Sequence, residues 1–147
     1  MSETNLKDYL QKSASAAKWK RIGINRRAGI VAPLFSVYSK KSLGIGDLED
    51  LKLLIGWVSK TGNSIIQLLP MNELGSTFCP YDSVSSFALE PMYISLGKIP
   101  GINKNSFFAL IDKRKREFSL TGKSRIDYRI KKEKISLLWD IFCTKEC

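Results

Sequence analysis

The stretch GDLEDLKLLIGWVSKTGNSIIQLLP, Gly46–Pro70, carries the reading that decides the fold. Asp47 stands where a helix N-cap belongs, and Asp50 follows three residues on, which makes a near capping box. Leu48, Leu51, Ile55 and Val58 recur at helical spacing. Gly62 sits at the C′ position, where a left-handed backbone closes a helix. The pattern predicts a helix from about Asp47 to Lys60. Ser64–Pro70, SIIQLLP, is then a continuous apolar run between Gly-Asn and Pro, the mark of a strand buried on both faces and hence of a parallel sheet. Upstream, AGIVAPL, Ala28–Leu34, reads as a second short buried strand closed by Pro33. Strand, helix and strand with no hairpin turn between them make a βαβ unit. The two strands should be parallel neighbours with a right-handed crossover, and the fold class is α/β.

Outward from this unit the signals weaken. Residues 5–20 read as a helical lead-in with Leu6, Tyr9, Leu10 and Ala17 on one side. In the loop FSVYSKKSLGIG, Gly44 and Gly46 indicate a backbone that turns sharply or admits a close partner. MYISL, Met92–Leu96, reads as a short strand or extended piece, and GKIPGINKN as a loop. SFFALIDKRKREF is expected to be partly helical, with Lys113–Arg116 as a solvated charge run. SRIDYRIKKEKISLLWDIF is expected to be helical over its second half, with Ile130, Ile135, Leu138, Trp139 and Phe142 forming an apolar side.

Composition narrows the chemistry. The apolar fraction of 44% suits a globular domain. No apolar run reaches the ~18–20 residues of a membrane span. The opening residues mix Ser, Ala and Lys as an organellar transit peptide does, but Glu3 and Asp8 speak against one, so a cytoplasmic location is expected. The chain contains no histidine, which removes the commonest general base and metal ligand. Cys79, Cys143 and Cys147 form no disulfide framework and are expected to be free thiols. No metal or cofactor is expected. The net charge of +10 is uneven: residues 98–147 hold thirteen Lys/Arg against six Asp/Glu, whereas residues 51–97 hold two against three. Such a tail suits a solvated helix face, or a nucleic-acid partner. It lacks the interleaved aromatic platform that single-strand binding uses.

The segment CPYDSVSSFALEP, Cys79–Pro91, is long, weakly charged and closed by Pro, and it follows a buried strand. With its neighbours it carries a resemblance. RRAGIVAPLFSV, LGIGDLEDLKLLIGWVSKTG, IIQLLPMNELG, CPYDSVSSFALEPMYISL and, more loosely, IDYRIKKEK occur in the order and spacing of the 4-α-glucanotransferases. These enzymes, also called amylomaltases or disproportionating enzymes, form glycoside hydrolase family 77. Ile66 stands where the family usually has Trp, Cys79 where it has Ser, and Leu89-Glu90 where many members have Gly-Asn, which suggests a divergent branch.

The resemblance implies the N-terminal part of a (β/α)8 TIM barrel acting on α-1,4-glucans (maltodextrin, starch or glycogen chains), without nucleic acid or membrane as a partner. It implies a sugar-binding role for Tyr81, whose ring would face a glucose. Ser83 and Ser85 would bond sugar hydroxyls or the loop's own backbone. Phe87 and Pro91 are expected to pack. A retaining transfer needs two carboxyl groups about 5–5.5 Å apart. In the family these come from later strands, and none of the fourteen acids here lies in a matching context. Asp82, Glu90 and Glu73 are the nearest candidates by position, and no catalytic role is expected of them. An eight-unit barrel takes about 200 residues or more. The 147 residues are therefore expected to be a portion of one: a lead-in over residues 1–20 and the first barrel units over 21–147, inactive alone and prone to self-association. A non-catalytic carbohydrate-binding remnant and a basic nucleic-acid-binding module are the alternatives.

Overall fold

A computed structural model describes residues 3–100, 102, 109, 112–113, 116–117 and 126–146. The lead-in is not one helix but two, α1 (Glu3–Lys12) and α2 (Ala16–Ile22). The break falls at Ser13, whose hydroxyl donates to the Leu10 carbonyl at 2.8 Å. A serine bonded to the preceding turn in this way competes with helix continuation.

Strand β1 (Gly29–Ala32) pairs in parallel with β2 (Ile65–Leu68), in the register Gly29–Ile65 to Ala32–Leu68. Between them runs helix α3 (Leu48–Lys60), which packs on β2. The parallel pairing and the intervening helix are thus as the sequence predicts. Both ends of α3 are closed. At the start, Asp47 Oδ1 accepts from the Glu49 and Asp50 amides at 2.9 and 3.3 Å, and the Asp47 amide donates to Asp50 Oδ2 at 3.0 Å. At the end, the Gly62 amide donates to the Ser59 carbonyl and the Asn63 amide to the Val58 carbonyl, with Gly62 at φ +76°. That is a Schellman closure.

Burial departs from expectation in two places. The strands are four residues each and alternate exposed and half-buried, rather than being buried on both faces. Val31 and Ile65 share the open face, while Ile30, Ala32, Ile66 and Leu68 share the other. Two strands and one helix cover one side of a sheet, and among the described residues nothing covers the second. On α3 the inward stripe is Leu51, Leu54 and Val58, whereas Leu48 and Ile55 face outward with Leu53 and Trp57.

The core lies beyond the carboxyl ends of the strands. Leu34, Leu43, Ile45, Leu74, Met92, Tyr93, Leu96 and Ile130 form one buried cluster. They come from the segments that leave β1 and β2, from 3₁₀ turns at Pro91–Tyr93 and Leu96–Lys98, and from helix α4 (Arg129–Glu146). Of the strand or extended piece expected over Met92–Leu96, only Ile94 and Ser95, between the turns, are extended. The expected helix and charge run within Ser106–Phe118 lie largely outside the described residues. Two glycines let the first segment fold so tightly. Gly44 adopts φ +81°. At Gly46 a Cβ would fall 2.0 Å from the Leu34 carbonyl oxygen and 2.3 Å from that of Val37, so no side chain fits.

Helix α4 turns inward only part of the stripe expected, Ile130 and Leu138. Ile130, Lys131 and Lys134 are buried and Leu137, Leu138 and Ile141 half-buried, while Ile135, Trp139 and Phe142 are exposed. Trp139 and Phe142 stack on each other at 5.7 Å. The basic tail is therefore not wholly a solvated face: two of its lysines lie in the interior, each beside a carboxylate. No helix among the described residues is long and apolar enough to cross a membrane.

Candidate functional site

The Cys79–Pro91 loop is fastened to the segment that leaves β2. The Glu73 amide donates to the Ala88 carbonyl, the Val84 amide to the Glu73 carbonyl and the Glu90 amide to the Met71 carbonyl, at 2.9, 2.9 and 3.0 Å. Asn72 and Leu89 form an antiparallel bridge. Within the loop, Ser85 Oγ accepts from the amides of Phe87 and Ala88 at 3.2 and 3.0 Å. Of the two roles expected for Ser85, the loop's own backbone is the one seen.

The fastened loop holds its side chains outward. Tyr81 is 73% exposed and Ser83 is exposed. Phe87, expected to pack, is 97% exposed, and its amide donates to Ser85 Oγ. Pro91 is half-buried, at the start of a 3₁₀ turn. Tyr81, Val84, Phe87 and Leu89 thus form a projecting, largely apolar surface.

Beneath the loop lies a buried ionic centre. Glu90 is 1% exposed. Its Oε2 accepts from the Leu74 amide at 2.8 Å and from Lys131 Nζ at 2.9 Å. Lys131 Nζ also donates to the carbonyls of Gly75 and Thr77, at 2.7 and 3.1 Å. Taking two charges out of water costs several kcal/mol per ion, about as much as their attraction returns, so such a pair is kept in place by its further hydrogen bonds. Tyr93 beside it is pushed up to about 12 by burial and by the Glu90 charge. A second ionic centre joins α4 to the start of α3. Lys134 Nζ lies 3.8 Å from Asp47 Oδ2. The Ser95 hydroxyl donates to Asp47 Oδ1 at 2.7 Å.

Of the acids considered from sequence, Glu73 is half-buried where the loop is fastened. Glu90 is spent on Lys131 and the Leu74 amide, while Asp82 is exposed on the loop. Among the described residues no three His, Cys, Asp or Glu side chains gather to hold a metal. Cys79 and Cys143 are free and exposed. Two clefts lie elsewhere: about 660 Å³ between α1 and α2 beside Trp19, and about 450 Å³ beside Asp47, Ser95 and Lys134. Neither is lined by Tyr81, Ser83 or Ser85. Tyr81 and Ser83 are exposed on the loop and Ser85 is half-buried.

The sequence profile of the family described as 4-alpha-glucanotransferase matches residues 32–147. This chain belongs to the 4-alpha-glucanotransferase family. It is 48% identical over 99 residues to the 4-alpha-glucanotransferase of Chlamydia pneumoniae, an alignment covering 67% of this chain and 19% of that protein. It is 45% identical over 91 residues to the one of Chlamydia caviae, covering 62% and 17%. It is 32% identical over 127 residues to 4-alpha-glucanotransferase DPE2 of Oryza sativa subsp. japonica, covering 75% and 13%. The chain spans about a fifth or less of these glucanotransferases. The profile begins at Ala32, after the two lead-in helices.

Lys131 went unnoticed in the sequence because it sits in a basic run, IKKEK, where solvent exposure is the default. Its partner left a fainter signal: Glu90 is an acid at the end of a weakly charged loop, directly before Pro91.

Proposed function

We propose that this chain is the N-terminal portion of a 4-α-glucanotransferase built as a (β/α)8 barrel. Such an enzyme moves segments of α-1,4-glucan to glucose or maltodextrin acceptors. The observation that carries the reading is Tyr81, held outward on a fastened loop past the carboxyl end of a parallel strand. In barrels of this kind, substrate sites are built from the loops at that end. The Tyr81 ring offers an apolar face with a polar tip, which suits the C–H face of a glucose. The Ser83 hydroxyl and the free O–H of Ser85 offer hydrogen bonds to sugar hydroxyls.

The chemistry itself needs a carboxylate that displaces the reducing-side glucan from C1 and an acid that protonates the departing 4-oxygen. The 4-hydroxyl of an acceptor then takes the glycosyl group from the carboxylate and returns its proton to the same acid/base residue. Those groups belong to the family's later strands. Here Tyr81, Ser83 and Ser85 bind and orient the chain being transferred, and no metal or cofactor is required.

The test is a pair of assays with maltotriose. Residues 1–147 alone release no glucose and form no longer maltodextrins. The same residues fused to the remaining portion of the Chlamydia pneumoniae relative do both. Activity in the isolated chain, or a folded but inactive fusion, contradicts the proposal.

A further inference from the structure

We infer that Lys131 is the positioning residue of the Tyr81 wall. Its ammonium has three N–H donors, and the structure gives each an acceptor: Gly75 O at 2.7 Å, Thr77 O at 3.1 Å and Glu90 Oε2 at 2.9 Å. Two acceptors lie just before the Cys79–Pro91 loop and the third at its end. One side chain of α4 therefore closes both ends of a loop more than forty residues away in sequence. The lysine is shielded, its side chain 6% exposed against 1% for Glu90. Its Nζ also lies 5.4 Å from the centre of the Phe78 ring. Phe78 meets Phe35 edge-on at 5.9 Å and Tyr128 at 4.5 Å, so the entry to the loop is held from below as well.

One Nζ serves all three acceptors. A compact ammonium satisfies that arrangement, and the planar fork of arginine does not. Lys131 touches neither Tyr81 nor the serines; it acts on a glucan through the loop's shape. The positioning role concerns the loop alone. Its consequence for sugar rests on the glucan reading given above.

The experiment is hydrogen exchange by mass spectrometry on residues 1–147, comparing wild type with Lys131→Met, Glu90→Gln and Lys131→Arg. A Lys134→Met variant on the same helix serves as control. The expected result is exchange about tenfold faster across residues 73–90 in all three, through local opening of the loop. Peptides from residues 29–68 stay at the wild-type rate, and Lys134→Met leaves the loop unchanged. Uniform acceleration over the whole chain, or an unchanged loop, overturns the inference.

A maltoheptaose titration supplies a readout that a merely structural role would not move. Lys131→Met weakens binding about tenfold in the wild-type background and not at all in a Tyr81→Ala background, because the two act through one wall. Additive losses overturn the inference. A loop loosened as expected in a wild type that binds no maltoheptaose supports the positioning role and contradicts the glucan reading instead.

Discussion

Lys134 Nζ lies 3.8 Å from Asp47 Oδ2, too far for a hydrogen bond, with its side chain 1% exposed. Burial lowers its pKa to about 8 from 10.5, against the opposing pull of Asp47 and Asp50. The sign follows from linkage. Below about pH 8 the folded and unfolded chains both hold the proton, and the cost of the buried charge is present in full. Between about pH 8 and 10.5 the folded chain releases it first, so stability rises with pH, by at most about 3 kcal/mol.

A neutral isostere abolishes that rise. Lys134→Met is expected to be more stable than wild type at pH 7, with the difference shrinking as pH approaches 10. Urea midpoints of both proteins at pH 7, 8.5 and 10 check it. Parallel pH curves would show that the buried ammonium carries no cost.

Gly46 and Gly56 give opposite outcomes for the same substitution. Gly46→Ala drives a methyl into two carbonyl oxygens, at 2.0 and 2.3 Å, and is expected to abolish cooperative folding. Gly56→Ala meets nothing within 4 Å on the open face of α3 and should stabilise by roughly 0.5–1 kcal/mol. Thermal unfolding of the two variants separates them.

Exposed apolar side chains include Val31 and Ile65 on the sheet, Leu53, Ile55 and Trp57 on α3, Val84, Phe87 and Leu89 on the loop, and Trp139 and Phe142 on α4. Among the described residues each strand also has one hydrogen-bonded neighbour, which leaves an edge able to pair with another chain. The net charge of +10 opposes association. At physiological ionic strength the Debye length is about 8 Å, and more salt screens the repulsion further. The chain should therefore self-associate, increasingly as salt rises. Light scattering from 0.05 to 0.5 M salt measures it, and a salt-independent monomer would contradict the expectation.

The βαβ unit was legible because its signals are local. Asp47, Asp50 and Gly62 are written in residues whose role depends on neighbours three or four positions away. Burial was less legible because it is decided by distant partners. The run Ser64–Pro70 reads as doubly buried, yet its strand Ile65–Leu68 alternates exposed and half-buried. Phe87 reads as a packing residue, yet it stands exposed. On α4 the amphipathic reading puts Ile130, Ile135, Leu138, Trp139 and Phe142 inward; Ile130 and Leu138 lie there, and Ile135, Trp139 and Phe142 do not. Lys131 and Lys134 are buried with them, facing Glu90 and Asp47. Tyr81 was singled out only through the family pattern; its exposure and the Lys131 bonds at the ends of its loop came from the structure.

The claim that Tyr81 forms a glucan wall is tested most directly by comparing two tyrosines in the fusion with the Chlamydia pneumoniae relative. Tyr81 stands on the loop, while Tyr128 leans on Phe78 at the start of α4. The measurement is kcat/KM for disproportionation of maltotriose, with the melting temperatures of both variants recorded alongside. The account predicts that Tyr81→Ala lowers kcat/KM at least about tenfold more than Tyr128→Ala, as loss of a substrate-binding aromatic should. Equal losses at matched stability would contradict it.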